Sequence, residues 1–320
     1  MRKVLITGIA GFAGSQLAES LRARGVEVWG ITIDDSIGNL AGVSGLNLVK
    51  CDLLDFPALR EVIAGVRPDV VFHLAAQSAP SLSFKFPGET LRVNIFSTLN
   101  LFEAIVECSP ESRIVNVGSG DEYGEVAEKD LPAKETAELR PLNPYAVSKV
   151  TQDLLAFQYW KSKGLKAVRC RPFNHYGPRQ SEVFVCSDLA RQIAEIEAGI
   201  RAEKRVMVGN LEAAKDFLYV KDVISAYELL AEKGEFGGVY NICSGKAVKI
   251  REIIEALVSF STERIDILQD PGKLRPADVQ ALYGDAGRLK ALGWKQEYPL
   301  EKGLKDLLEF WREKIRKGMA

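Results

Sequence analysis

The stretch KVLITGIAGFAGSQLAES, residues 3–20, decides how the chain is read. Val4 to Thr7 run without polar alternation into glycines at 8, 11 and 14. An unalternated run suits a strand buried on both faces. The segment FAGSQLAESLRARG then carries apolar residues at helical spacing and ends on Gly25. Spaced glycines at a strand-to-helix turn allow a tight bend and let a pyrophosphate approach the backbone. The helix start adds free N–H groups and the positive end of its dipole. In this setting Gly8, Gly11 and Gly14 read as the phosphate turn of a dinucleotide fold, with Phe12 and Ala13 between them.

Outward from this turn the same grammar repeats. VEVWGI, LNLVK, DVVFHLAA and RIVNVGS are strand-like and rich in Val, Ile and Leu. Between them lie helical stretches such as FPALREVIAGV and TLRVNIFSTLNLFEAIVEC. Strands without alternation, separated by helices, predict an α/β chain: a doubly wound parallel sheet covered on both faces. After about residue 172 the alternation loosens into loops with Pro and Gly. The expected organisation is a dinucleotide-binding lobe over 1–171, to which 216–243 returns. A smaller substrate lobe would be built from 172–215 and 244–320, closing a cleft over the carboxyl ends of the strands.

Bulk composition excludes several classes. The 320 residues carry a formal net charge of -1, without the basic excess of a nucleic-acid or membrane-surface binder. No run of eighteen apolar residues and no signal-peptide layout stands in the sequence, so a cytoplasmic location is expected. The five cysteines, Cys51, Cys108, Cys170, Cys186 and Cys243, are scattered and read as reduced core thiols. With only His73 and His175, about a hundred positions apart, no metal site is expected. His73 itself reads as a packed strand residue.

Two further patterns carry chemistry. NPYAVSKV places Tyr145 and Lys149 four residues apart, on one face of a helix. A phenol with a pKa of about 10 holds its proton too tightly for use at neutral pH. A cation one turn away is expected to lower it, making Tyr145 a general acid or base toward a carbonyl or alcohol. Ser119, in GSGDEYG at 118–124, emerges from a strand where its hydroxyl can bond the same reacting oxygen. Asp34 and Asp35, at the end of GITIDDS, suit the ribose hydroxyls of an adenosine and disfavour a 2'-phosphate; no Arg or Lys follows until Lys50. That leans the cofactor toward NAD(H) over NADP(H). Asp52, after the next strand, suits the adenine amino group or a helix cap.

The set Gly-x-x-Gly-x-x-Gly, HLAAQS, GSGDEYG and NPYAVSK resembles the extended short-chain dehydrogenase/reductases over essentially the whole chain. That family has the Rossmann fold and holds NAD(H) or NADP(H). The resemblance places Leu53, Leu74, Ala75 and Ala76 beside the cofactor, with Lys149 on the nicotinamide ribose. Its members also commonly dimerise through the two helices ETLRVNIFSTLNLFEAIVEC and YAVSKVTQDLLAFQYWKSKG as a four-helix bundle. The strings RPFNHYGPRQ, GNL…KDF and KLRPADVQALYGDAGRLKALGW resemble the GDP-sugar branch. They imply a GDP-sugar substrate held by Asn174, Arg179, Asn210, Lys215, Arg275 and Asp278. Lys215 and Asp278 depart from the usual arginine and glutamate.

Within that branch the choice lies between a 4,6-dehydratase acting on GDP-mannose and a reductase acting on GDP-4-keto-6-deoxy-D-mannose. A dehydratase needs an extra acid–base group, usually a glutamate two residues before the Tyr-Gly; here that place holds Asp121, one methylene shorter. The chain reads FNHYGPRQ where dehydratases carry FNHESPRRG, and GIAGFAGSQL where they carry GITGQDGSYL. It also lacks their RRSS element. The resemblance therefore implies an oxidoreductase that reduces the C4 keto group to give GDP-D-rhamnose, or its C4 epimer GDP-6-deoxy-D-talose if the sugar face is reversed. Ser119, Tyr145 and Lys149 would be catalytic and Asp121 a contact to the sugar. Another nucleotide-sugar epimerase or reductase is the remaining enzymatic reading. A non-enzymatic dinucleotide sensor is disfavoured, since Tyr145 and Lys149 are both intact.

Overall fold

A computed structural model describes residues 1–35, 37–273 and 281–318. The strands are β1 (Lys3–Thr7), β2 (Glu27–Thr32), β3 (Asn47–Lys50), β4 (Val70–His73), β5 (Arg113–Val117), β6 (Lys166–Pro172), β7 (Asn174–Tyr176), β8 (Arg205–Val208), β9 (Ala214–Lys215), β10 (Phe217–Tyr219), β11 (Val239–Ile242), β12 (Val248–Lys249), β13 (Asp266–Gln269) and β14 (Ala281–Leu282). The helices are α1 (Phe12–Ala23), α2 (Phe56–Val66), α3 (Pro80–Lys85), α4 (Pro87–Cys108), α5 (Pro144–Lys163), α6 (Val185–Glu197), α7 (Val220–Lys233), α8 (Ile250–Ser259), α9 (Gly287–Ala291) and α10 (Leu300–Arg316).

Seven strands form one parallel sheet in the order β11-β6-β5-β4-β1-β2-β3. The order reverses between β1 and β4, the switch point where such sheets bind ligands. The strand period of two divides the core. Val4, Ile6, Val70, Phe72, Val115 and Val168 face one apolar cluster, while Leu5, Val71, Ile114 and Ala167 face the other. Because both faces are covered, apolar residues suit successive positions, and the central strands show runs instead of alternation.

Beyond β6 the strands are short and pair in separate small sheets: β7 with β10, β8 with β13, and β9 between β12 and β14. Helix α10 buries Leu304, Leu307, Leu308 and Trp311, and Trp311 donates to Ser187 Oγ of α6 at 3.0 Å. Its charged face is solvated, as its amphipathic pattern predicts. Among the described residues no helix is long and apolar enough to cross a membrane.

His73 is a structural strap. Its Nδ1 lies 2.8 Å from Thr7 Oγ1 of β1 and its Nε2 2.8 Å from Thr98 Oγ1 of α4. Burial, aided by the Lys149 charge, pushes its pKa down from 6.5 to about 3. The unfolded chain therefore binds one more proton than the folded chain between those two pH values, so stability falls as pH drops below 6.5. We predict that this histidine makes wild type lose about 2 kcal/mol between pH 7 and pH 5 beyond what a His73→Asn variant loses. Urea denaturation of both proteins at the two pH values measures the difference; equal slopes would refute it.

Candidate active site

The glycine turn leaves β1 at the switch point. Gly11 caps α1 with no side-chain bond, so the first-turn N–H groups remain available to an anion. A Cβ on Gly14 would lie 2.2 Å from the Gly8 carbonyl oxygen, so no other residue fits this packing. The loop after β4 seals one side: Leu74 N–H donates to Thr7 O at 3.3 Å, and Ala75 N–H to Thr7 Oγ1 at 3.2 Å. Phe12 stacks on His175 with centroids 5.7 Å apart, bringing β7 against the turn. These features fit a dinucleotide pyrophosphate: a backbone cradle without side chains, on a helix N-terminus.

Asp34 and Asp35 are exposed just beyond β2. Asp35 pairs with Lys50 at 2.8 Å, a contact made when the ends of β2 and β3 come side by side. Asp52 is exposed and accepts the Leu54 N–H at 2.9 Å; the cap of α2 is Asp55. Asn100 of α4 holds the Leu53 carbonyl at 2.9 Å, tying this loop to the sheet's covering layer.

Helix α5 begins where Asn143 accepts the Ala146 N–H at 2.8 Å and Pro144 takes the first turn. The helix thus presents Tyr145 and Lys149 to the end of β5, both buried. Ser119, just past β5, acts on the Tyr145 hydroxyl. Lys149 Nζ donates to Val117 O at 2.8 Å and stands 5.9 Å from the Tyr145 ring centroid. The sequence predicted a phenol with lowered pKa, and here the structure differs. Burial and the Asp121 charge hold Tyr145 above its ordinary value, while Ser119 pulls down. One donor of the lysine goes to the strand carbonyl, and burial lowers its own pKa to about 8.

Sequence reading missed the polar layer beneath these groups. Asn94 of α4 donates to Ser148 Oγ at 2.8 Å, and Ser148 to the Tyr145 carbonyl at 2.6 Å. Gln152 donates to the Asn94 carbonyl at 2.8 Å. The only signal was polar residues at helical spacing on helices otherwise packed with apolar ones.

The expected sugar-side residues separate. Asn174 donates to the Asp216 carbonyl at 3.2 Å, next to Lys215, which is half-buried in β9 between β12 and β14. Asn210 lies on the approach to β9 and accepts the Glu212 N–H at 3.0 Å. Arg179 turns toward α1, pairing with Glu19 at 2.7 Å while its carbonyl accepts from Asn39 at 3.1 Å. Arg275 and Asp278 lie outside the described residues.

A profile of the GDP-mannose 4,6-dehydratase family matches residues 5–307. The chain belongs to the GDP-mannose 4,6-dehydratase family. Within it, the chain is 36% identical over 316 residues to the GDP-6-deoxy-D-mannose reductase of Pseudomonas aeruginosa, covering 98% of this chain and 99% of that one. It is 32% identical to a GDP-mannose 4,6-dehydratase of Vibrio cholerae, covering 95% and 92%. Among solved structures, RMD from Pseudomonas aeruginosa complexed with NADPH superposes with a TM-score of 0.85 at 36% identity, over 98% of this chain and 100% of that one. A Thermus thermophilus UDP-glucose 4-epimerase complexed with NAD gives 0.87 at 30% identity, over 97% and 99%. The extended short-chain dehydrogenase/reductase reading and the parallel α/β fold therefore hold for this family member.

Gly14→Ala isolates the cradle in this dehydratase-family chain. The added methyl forces the Gly8 carbonyl to move, and overpacking of that kind costs about 1–3 kcal/mol. The variant is expected to melt lower and to bind NADH and NADPH at least about tenfold more weakly, a loss of about 1.4 kcal/mol, by fluorescence titration. Wild-type affinity would show that no anion meets this turn.

Proposed function

We propose that the protein reduces the C4 keto group of GDP-4-keto-6-deoxy-D-mannose to give GDP-D-rhamnose, using a nicotinamide dinucleotide. The convergence of Tyr145 and Lys149 of α5 on the end of β5, where Lys149 holds the Val117 carbonyl two residues before Ser119, carries this reading, because it gathers a proton donor, a cation and a polarising hydroxyl in one place. The full-length similarity to a GDP-6-deoxy-D-mannose reductase supports the substrate.

When bound, the reduced cofactor supplies the hydride that C4 accepts. Gly8, Gly11, Phe12, Ala13 and Gly14 hold its pyrophosphate; Asp34, Asp52, Leu53, Leu74, Ala75 and Ala76 border the rest. Ser119 donates to the C4 oxygen and polarises it. Tyr145 passes its proton to the alkoxide as charge develops there, which suits a phenol that burial keeps protonated. Lys149 then steadies the phenolate and bonds the nicotinamide ribose. Asn174, Arg179, Asn210, Lys215, Arg275 and Asp278 are assigned to the GDP-sugar, and Asp121 to the sugar ring. The division into a lobe of 1–171 with 216–243 and a lobe of 172–215 with 244–320 is part of the proposal. It is supported by β11 lying in the large sheet and the short strands lying outside it. NADH is assigned as the preferred donor, because Asp34 repels a 2'-phosphate and Lys50 is engaged by Asp35.

The acid at 121 favours one second reading, dehydration of GDP-mannose. Incubation with the keto sugar and NADH or NADPH, followed at 340 nm, is expected to consume cofactor, faster with NADH. Asp121→Asn is expected to keep at least about a tenth of the rate, since it retains a hydrogen-bonding side chain of the same size. No oxidation of either cofactor overturns the reductase. Keto sugar formed from GDP-mannose, and lost in Asp121→Asn, establishes the dehydratase.

We also assign a homodimer built on α4 and α5. Phe84, Phe86, Phe96, Val147, Leu154 and Phe157 are large, apolar and exposed on α3–α5 and their junctions. Light scattering should give twice the chain mass, and Phe96→Asp with Leu154→Asp should halve it. A monomeric wild type would refute the assignment.

A further inference from the structure

We propose that Glu122 is a positioning residue for the reaction: with Arg171 and Asp153 it locks the Ser119 turn to the catalytic helix, two residues past the Val117 carbonyl that holds Lys149. The inference rests on the reductase reading of Ser119, Tyr145 and Lys149. The path of contacts is continuous. Glu122 Oε1 accepts the Ser119 N–H at 2.8 Å while Ser119 Oγ accepts the Asp121 N–H at 3.1 Å. These reciprocal bonds fix the serine backbone. Glu122 Oε2 lies 2.9 Å from Arg171 Nε. Arg171 Nη2 donates to Asp153 Oδ2 at 2.8 Å, which also accepts Arg169 Nη1 at 3.0 Å. Asp153 stands one helical turn beyond Lys149 and two beyond Tyr145, on the same face of α5. The side chains of Glu122, Asp153 and Arg171 are buried.

Residue 118 is shaped for this carboxylate. A Cβ there would lie 2.1 Å from Glu122 Oε1, so any side chain at 118 would displace it. Buried ion pairs are poor stabilisers, since apolar replacements of the same volume often match them. What this network supplies is geometry, and delivery of a proton between hydroxyls tolerates little misplacement.

Its charge matters too. Burial draws Lys149 down to about 8, and the Glu122 carboxylate is the main opposing influence. Burial and Asp153 push Glu122 up, while Arg171, the Ser119 N–H and Lys149 favour its carboxylate form. The other titratable groups around the pair are His73 on β4, Cys170 on β6, and Tyr123 and Tyr145. Asp121 acts on Tyr145.

Glu122→Gln keeps the size and the acceptor oxygen and removes the charge; Glu122→Leu removes both. In Glu122→Gln, kcat should fall roughly tenfold with KM for the sugar unchanged, and in Glu122→Leu roughly a hundredfold. With the opposing carboxylate gone, Lys149 should lose its proton at lower pH, carrying the alkaline limb of kcat with it. NMR of protein labelled with 13C-lysine reads that titration directly. The double variant Glu122→Leu with Arg171→Met leaves neither charge unmatched and should recover melting temperature but not kcat. Wild-type kcat in Glu122→Gln, or kcat that returns with melting temperature in the double variant, overturns the proposal. The Lys149 titration needs no substrate, so it is read even if wild type reduces no keto sugar. A shift in Glu122→Gln upholds the placement of Glu122 against Lys149, and its absence overturns it.

Discussion

Seven parallel strands covered on both faces leave polar groups one direction to go, out of the carboxyl ends. Most side chains in the middle of the sheet are apolar, because an unpaired polar atom there would cost several kcal/mol, of order 2–7. The glycine turn after β1, the Leu74–Ala76 loop after β4 and the Ser119 turn after β5 all open on that edge. Helix α5 crosses it and lowers Tyr145 and Lys149 onto the end of β5, where Lys149 is bonded to the Val117 carbonyl. Fold and site are thus one constraint seen from two ends.

Where the sheet does admit charge, it does so in a closed circuit. Arg169 and Arg171 alternate on β6 and so share one face of the strand, meeting Asp153 of α5. Breaking such a buried pair by removing one partner costs about 3–5 kcal/mol, since the survivor stays uncompensated. Arg171 also lies over the Tyr123 ring, 5.1 Å from its centroid, and Tyr123 donates to Asn241 of β11 at 2.6 Å. The circuit therefore spans three neighbouring strands and the catalytic helix. A shift in any of them is felt at Ser119.

The adjacent carboxylates at 121 and 122 have different surroundings. Asp121 sits at the mouth, acting on the Tyr145 hydroxyl. Glu122, next to it in sequence, is turned inward by the short 3-10 turn and belongs to the interior. Adjacent residues on such a turn point in divergent directions, so one acid meets substrate space and the other meets the strand behind.

The sequence by itself determined the architecture. Unalternated Val, Ile and Leu runs can only be strands covered twice, and glycines at 8, 11 and 14 after the first of them can only be a tight strand-to-helix turn. It also determined that Tyr145 and Lys149 share a helix face, because their spacing is local. It did not determine the partners of Glu122, Asp153, Arg169 and Arg171, though two arginines in the strand-like AVRCRP were a visible irregularity. Nor did it determine that Lys149 would donate to the Val117 carbonyl or that Arg179 would turn to α1. Those outcomes depend on which chain segments, tens of residues apart, are brought side by side. Hydrogen bonds and ion pairs in a low-dielectric interior are decided by that proximity and by desolvation, and neither is written in the spacing along the chain.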